Sequence, residues 1–213
     1  MRLWKPICQW LGILAALACV AGALAWYDCR LPFSAARPMD EKEAQLRASL
    51  VSTAQSYLGT QEGDSRHKAI LQQYNTHQPL AQNYTVTETD SWCSAFVSSM
   101  AIQAGLTEIL PTECGCQRHI GLFQALGRWQ EQDTYVPQPG DLIFYDWDQW
   151  KPGDGTGWAD HVGIVVGVRW PFIQVIEGNR SDSVCYHYVL MGHPNIRGFA
   201  LPDYGTLAGV GKS

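Results

Sequence analysis

Positive charge is scarce in this sequence of 213 residues, and internal repeats are lacking. Lys and Arg together number 15 against 20 Asp and Glu, which gives a formal net charge of −5. Because a protein that binds phosphate backbones needs a basic surface, this deficit argues against a nucleic-acid partner. The absence of a fixed period excludes solenoids and low-complexity proteins. Hydrophobic residues make up 46% of the chain, enough for one globular domain with a short appendage.

Charge is absent from one long stretch near the amino terminus. Arg2 and Lys5 precede the run Pro6–Tyr27, in which no residue is charged. As a helix this run would span roughly 33 Å, enough for a hydrocarbon core of about 30 Å. Basic residues ahead of such a run leave the following chain outside the cytoplasm. We therefore predict that residues 1–30 are a signal peptide, cleaved at Ala23-Leu24-Ala25, or an N-terminal membrane anchor, which the flanking aromatic residues slightly favour. Either way, the rest of the chain is extracytoplasmic.

Cysteines are too few after this run to form a disulfide scaffold. Cys29 lies just beyond the run, and four of the seven are left for the domain, namely Cys93, Cys114, Cys116 and Cys185. A domain of this size folds without disulfide bonds. Cys114 and Cys116 with His119 suggest zinc, but a structural zinc site needs four ligands, and no second pair stands at a suitable spacing. We therefore favour small buried or surface thiols over a metal site, and a structural role for Cys185.

The remaining pattern places helices first and strands second. After a linker at 31–43 we expect a catalytic domain at 44–204 and a C-terminal tail at 205–213. Hydrophobic periodicity predicts helices at Asp40–Gly59, His67–Tyr74, Cys93–Ala104 and His119–Gln130, then strands at Asp141–Trp147, His161–Val168, Phe172–Glu177, Ser183–Leu190 and Ile196–Leu201. This order predicts an α+β fold with N-terminal helices packed on a C-terminal antiparallel β-sheet.

Cys93 falls in the first turn of a predicted helix, which Asp90 or Ser91 can cap. A cysteine attacks as the thiolate, and its pKa falls at a helix amino terminus and beside a histidinium. By position alone, however, a cysteine beside Trp92 is more often part of the core. The placement makes Cys93 a candidate nucleophile that needs a histidine partner.

His161 is the candidate for that partner. A symmetric hairpin centred on Arg169 sets His161 directly opposite Glu177, and any register shifted by an even number of residues keeps both side chains on one face. Glu177 or Asn179 can then fix the tautomer of the histidine, and Asn179 can instead donate to a developing oxyanion. Each residue also has a purely structural interpretation. His161 could simply begin a strand, Glu177 could be an exposed strand end, and Asn179 could be a turn former.

Four segments resemble the motifs of the CHAP domain family in order and spacing: DSWCSAFVS (90–98), PGDLIFY (139–145), DHVGIV (160–165) and VIEGN (175–179). This resemblance, which covers roughly residues 44–204, implies a papain-like fold of the NlpC/P60 type and places the protein in the bacterial cell envelope. It implies Cys93 as nucleophile, His161 as base, Glu177 as orienting acid and Asn179 as the accompanying polar residue.

The same resemblance implies cysteine-dependent peptidoglycan hydrolysis without a metal or cofactor in the chemistry. The bond cut is expected to be that of an N-acetylmuramoyl-L-alanine amidase or of a stem or cross-bridge endopeptidase. Two alternatives stay open: a catalytically inactive wall-binding module of the same fold, and a papain-like protease or acyltransferase on another substrate.

One long acidic segment lies outside the four family motifs. The stretch before His161 carries Asp146, Asp148 and Asp154, whose carboxylates offer hard oxygen ligands for calcium. The match to a calcium-binding loop is poor, because Trp150 and Lys151 occupy two of its key positions. We favour a solvated loop on the substrate side over a calcium site.

Overall fold

The computed structural model describes residues 39–132, 134–147 and 157–209, and helices precede strands in them. The helices are α1 (Glu41–Gln55), α2 (Ser65–Thr76), α3 (Cys93–Gln103), α4 (Cys116–Ala125) and the short α5 (Tyr204–Ala208), with a 3-10 turn at Ala81–Asn83. The strands are β1 (Trp129–Gln130), β2 (Leu142–Tyr145), β3 (His161–Arg169), β4 (Phe172–Arg180), β5 (Ser183–Leu190) and β6 (Ile196–Ala200). The predicted α+β class is confirmed.

The strands form one sheet in the order β1-β6-β2-β3-β4-β5, and every neighbouring pair is antiparallel. Strands β3, β4 and β5 follow one another as hairpins, whereas β6 returns to lie between β1 and β2. Apolar side chains of one sheet face join α1 to α4 in the larger core, and those of the other face form a smaller cluster that includes Tyr145 and Val175.

Helix α3 is the buried element against which the rest is arranged. Every residue from Cys93 to Ala101 is buried, because the helix is apolar or small around its whole circumference. It packs against α2 on one side and against β3 and β4 on the other. The first turn of α3 is thereby held next to the strands that carry His161 and Glu177.

The register predicted for the β3–β4 hairpin is wrong by two residues. Val165 pairs with Val175, not with Ile173, because the turn lies at Trp170-Pro171. Next to the turn, Arg169 pairs with Phe172, a register in which His161 and Glu177 would point to opposite faces of the sheet. A bulge between Val165 and Gly167 then adds one residue to β3 and shifts the register by one. The bulge therefore keeps His161 and Glu177 on the same face.

The predicted bounds of α4 are also wrong. The helix runs from Cys116 to Ala125, not from His119 to Gln130. Gly127, with φ of 65°, lies just beyond the helix in the left-handed conformation that commonly ends helices, and Trp129 and Gln130 then pair with β6.

The predicted signal or anchor at 1–30 lies outside the described residues, as does most of the predicted linker. Within 39–132, 134–147 and 157–209, no helix is long and apolar enough to cross a membrane. Helix α1 begins at Glu41, inside the predicted linker, and α5 extends to Ala208, inside the predicted tail.

Candidate active site

Cys93 is the first residue of α3, as the sequence predicts, and only 3% of its surface is exposed. The first N–H groups of a helix lack partners within the helix and create a positive potential that favours a thiolate. The predicted cap by Asp90 or Ser91 is wrong, because Trp92 occupies the N-cap position without a side-chain hydrogen bond. Asp90 instead accepts hydrogen bonds from the N–H and hydroxyl of Thr87.

His161 begins β3, and its Nε2 lies 3.2 Å from Oε2 of Glu177 on β4. The structure thus brings these two side chains together, as predicted, although the register differs. The interaction of the same imidazole with the Cys93 thiol lowers the pKa of the thiol and raises that of the imidazole. Because Nε2 is held by the carboxylate, Nδ1 is the nitrogen left for the sulfur.

The charges of this cluster favour a thiolate–imidazolium pair. Hydrogen bonds from the Cys116 thiol, from His161 and from the Val162 N–H, together with the charge of His161, hold the pKa of Cys93 well below its ordinary value, although burial opposes them. Burial also lowers the pKa of His161, but its hydrogen bonds to Cys93 and Glu177 and their negative charges outweigh this and raise it to about 10. At neutral pH the shared proton therefore resides on His161.

Glu177 is completely buried and remains ionised because three cationic or hydrogen-donating groups surround it. Its Oε2 accepts from Nη1 of Arg180 at 3.1 Å as well as from His161, and its Oε1 lies 2.9 Å from Nδ1 of His187 on β5. Burial raises the pKa of Glu177, but the hydrogen bonds to the two histidines lower it to about 2.

His187, which the sequence places among surface or structural histidines, is thus part of the site. The alternating pattern of β5 sets it on the same face as Cys185, which pairs with Glu177. Only the register of β4 against β5 reveals that it reaches the carboxylate, and the sequence does not determine that register.

Two glycines allow the close approach of the elements that carry these groups. A Cβ at Gly178 would lie 2.6 Å from Cβ of Phe96 and 2.8 Å from Cζ3 of Trp92, in the first turn of α3. A Cβ at Gly163 would lie 2.6 Å from Cγ of Glu177. Glycine at both positions lets β4 pack directly on the cysteine helix and lets the Glu177 side chain cross β3.

Asn179 lies two residues beyond Glu177, at a bulge of β4, with a left-handed backbone at φ of 59°. Asparagine tolerates this conformation better than most residues. Among the described residues its side chain makes no hydrogen bond to His161 or Glu177, so the predicted support of the histidine is not seen. Its role toward an oxyanion stays a prediction.

Aromatic rings line the other side of the histidine. Tyr145, which pairs with His161 across β2 and β3, stacks on its imidazole at 6.0 Å between ring centroids. Trp147 stacks in turn on Tyr145 at 4.9 Å. These contacts limit the rotation of His161, and the segment PGDLIFY signals the strand that provides them.

The comparison with known families agrees with this geometry. The sequence profile of the CHAP domain matches residues 83–179, which include Cys93, His161, Glu177 and Asn179. This part of the chain is CHAP-like. The match agrees with the papain-like arrangement that the resemblance implies. No curated protein is similar enough to this chain to count as a match.

Two solved structures align with the chain at low sequence identity. An NlpC/P60 family protein from Bacillus cereus ATCC 10987 aligns with a TM-score of 0.42 and 17% identity, over 73% of this chain and 40% of that one. Ly7917 with the hydrolysing product of MDP aligns with a TM-score of 0.42 and 12% identity, over 73% of this chain and 62% of that one. This chain therefore spans less than two thirds of either structure.

The segment considered for zinc lies beside Cys93, the candidate nucleophile. Cys116 begins α4, and its Sγ is 3.5 Å from Sγ of Cys93. His119 is fully buried and contacts the hydroxyl of Ser94, and burial lowers its pKa to about 4. Cys114 contacts the Gln82 amide instead. In the part of the chain that the structure describes, no three His, Cys, Asp or Glu side chains are grouped to hold a metal ion.

The candidate calcium ligands are only partly described. Asp146 follows β2 and is buried, and its backbone carbonyl accepts a hydrogen bond from the Asn195 amide. Asp148 and Asp154 lie outside the described residues.

Proposed function

We propose that this protein hydrolyses amide bonds of peptidoglycan by a cysteine mechanism. The observation that carries the proposal is the arrangement of Cys93, His161 and Glu177 within the CHAP-like part of the chain. A buried cysteine at a helix start, a histidine in contact with it and a buried carboxylate on the second ring nitrogen form a nucleophile, a base and an orienting group. The bond cut is that between muramic acid and L-alanine, or one within the peptide stem or cross-bridge.

The first half of the reaction forms an acyl-enzyme. The Cys93 thiolate attacks the carbonyl carbon of the scissile amide, and the electron pair of the C=O bond moves to oxygen. When the tetrahedral intermediate collapses, the C–N bond breaks and the proton of the His161 imidazolium passes to the leaving amine. His161 is then neutral and beside the thioester.

The second half regenerates the enzyme. Neutral His161 removes a proton from a water molecule, whose oxygen attacks the thioester carbonyl. The C–S bond breaks, the product carboxylate leaves, and the thiolate–imidazolium pair is restored. Glu177 keeps the ring in one orientation through both halves, because its carboxylate holds Nε2 at 3.2 Å.

Backbone donors at the start of α3 support the oxyanion in this proposal. The N–H of Cys93 belongs to the first helical residue, and such groups have no carbonyl partner within the helix. The side chain of Asn179, on the strand end that packs against the same turn, is the proposed second donor.

The proposed location is outside the cytoplasm. The support is the charge-free run Pro6–Tyr27 behind Arg2 and Lys5, which is typical of a signal peptide or membrane anchor. An anchor would keep the enzyme at the membrane, close to the peptidoglycan layer.

The test is the incubation of the full chain with purified peptidoglycan, beside its Cys93→Ala and Cys114→Ser variants. We expect new amino or carboxyl ends, identified by mass spectrometry, from the wild type and from Cys114→Ser but not from Cys93→Ala. Cleavage of peptides or proteins alone would support the papain-like protease alternative. No cleavage, together with retention of the protein on the wall, would support a binding module and contradict the proposal.

A further inference from the structure

The nucleophile has a second cysteine as its neighbour. The two sulfur atoms, Sγ of Cys93 and Sγ of Cys116, are 3.5 Å apart, and both residues are buried with 3% and 8% of their surfaces exposed. Neither takes part in a disulfide bond. The proposed hydrolysis uses only one of these thiols, so the position of the second needs another explanation.

The approach of the sulfur atoms is built into the fold. Helix α4 begins at Cys116, and the residue that fixes its start is the buried Glu113, whose Oε1 accepts the N–H groups of Cys114 and Gly115. Glu113 is in turn tied to α3 itself: the hydroxyls of Ser94 and Ser98 both donate to its carbonyl, at 3.1 and 2.7 Å. The two helix starts are therefore held together by hydrogen bonds close to each cysteine.

Only a small movement separates this arrangement from a covalent bond. The sulfur atoms of a disulfide are about 2.05 Å apart, so the pair must close by about 1.5 Å. Cys114 is a poor competitor, because its sulfur contacts the Gln82 amide at 3.5 Å.

We propose that Cys93 and Cys116 form a reversible disulfide bond when the protein meets a peroxide, so that Cys116 is a modification site that protects and silences the nucleophile. The silencing rests on the proposed function of Cys93, whereas formation of the bond does not.

The chemistry proceeds in two steps. The Cys93 thiolate attacks one oxygen of hydrogen peroxide, the O–O bond breaks, and Cys93 sulfenic acid and hydroxide form. The sulfur of Cys116 then attacks the sulfenic sulfur, the S–O bond breaks, and the S–S bond forms. The oxygen leaves as water, with the proton of the Cys116 thiol. The hydroxide from the first step takes the proton of the His161 imidazolium, so the two cysteines lose two electrons in all and the peroxide becomes two molecules of water.

The result differs from what peroxide does to an isolated thiolate. Without a second thiol in reach, sulfenic acid is oxidised further to sulfinic and sulfonic acids, which thiol reductants do not reverse. With Cys116 in place, a dithiol exchanges with the disulfide and restores both thiols. An enzyme exposed to peroxide would therefore lose activity and regain it on reduction.

The experiment treats the reduced full chain with hydrogen peroxide, alkylates the remaining thiols and digests the protein after glutamate. Cleavage after Glu88, Glu108, Glu113 and Glu131 places Cys93 in the peptide 89–108 and Cys116 in 114–131. The wild type and Cys114→Ser should both yield these peptides joined and two hydrogen atoms lighter than their sum, and dithiothreitol should separate them. In Cys114→Ser the second peptide contains no other cysteine, so its linkage identifies Cys116.

The Cys116→Ser variant provides the contrast. We expect no linked peptide and sulfinic or sulfonic acid on Cys93. Peroxide-treated wild type should recover most of its own starting activity on reduction, and the variant little of its own. A linkage that persists in Cys116→Ser, or a wild-type Cys93 that is oxidised or unchanged without linkage, would overturn the inference. Linked peptides from a protein that cleaves no peptidoglycan would instead contradict only the proposed function.

Discussion

Replacement of Gly178 by alanine tests the packing that places the carboxylate and the cysteine in one site. Gly178 follows Glu177 directly and packs on the first turn of α3, which begins with Cys93. A methyl group there changes no chemical group of the proposed mechanism. Its effect must therefore come from the distance between β4 and α3.

The size of that effect follows from the contacts. The added Cβ would lie 2.6 Å from Cβ and Cγ of Phe96. Carbon atoms in contact are about 3.5–4.0 Å apart, so strand and helix must separate by about 1 Å. Overpacking of this kind destabilises a protein by about 1–3 kcal/mol, and a displacement of about 1 Å between reacting groups lowers a rate about 10²-fold. In a domain of this size, Tm falls by about 2–4 °C for each kcal/mol.

The assay compares kcat/KM on peptidoglycan and Tm by calorimetry for Gly178→Ala and for Gly121→Ala as the matched control. Gly121 lies within α4, and no atom stands within 4 Å of its added Cβ. Since alanine is favoured over glycine in a helix by about 0.5–1 kcal/mol, the control should be as active as the wild type and slightly more stable. Wild-type activity and stability in Gly178→Ala would refute the reasoning.

Three further outcomes are expected. Glu177→Gln should lower kcat about 10⁴-fold, as amide replacement of a triad carboxylate does. The alkaline limb of its kcat/KM profile should also move below the value near pH 10 that His161 sets, because the imidazolium is then stabilised less. An alkaline limb at the wild-type pH would contradict this. His187→Ala should lower kcat about tenfold, about 1.4 kcal/mol, with little change in KM, because Oε1 of Glu177 loses its hydrogen-bond donor. His187→Asn should recover part of the lost rate. Equal rates in the wild type and both variants would exclude a positioning role for His187. Iodoacetamide at neutral pH should alkylate Cys93 faster than Cys114, because burial raises the pKa of the Cys114 thiol while the pKa of Cys93 is lowered. The two alkylation rates are measured by peptide mass spectrometry, and equal rates would argue against an activated thiol.

Much of the fold could be predicted from periodicity. The helix that begins at Cys93 and the strands β3 to β6 lie close to their predicted bounds, because each combines a clear pattern with a glycine or proline near its end. The start of α4 could not be predicted, because it depends on the hydrogen bonds of Glu113 to α3, and no local sequence pattern reveals them.

The site could be predicted only as far as single residues. Cys93 and His161 stand at element starts that the sequence signals, and Glu177 shares a face with His161. That shared face depends on the bulge near Val166, which a hairpin argument cannot foresee. The second histidine and the second cysteine could not be found, because each reaches the site from an element whose register or starting point is set by tertiary packing.

The buried carboxylate explains how a buried cysteine can ionise. A charge taken out of water is strongly disfavoured unless partners compensate it. Glu177 has such partners in Arg180, His161 and His187, and it in turn favours the charged form of His161, which is in contact with the Cys93 thiolate. Each anion thus has a cation against it, so the thiolate does not depend on solvent for its stability. Cys93 is consequently ionised within the fold itself, and exclusion of water from the site would strengthen the pair.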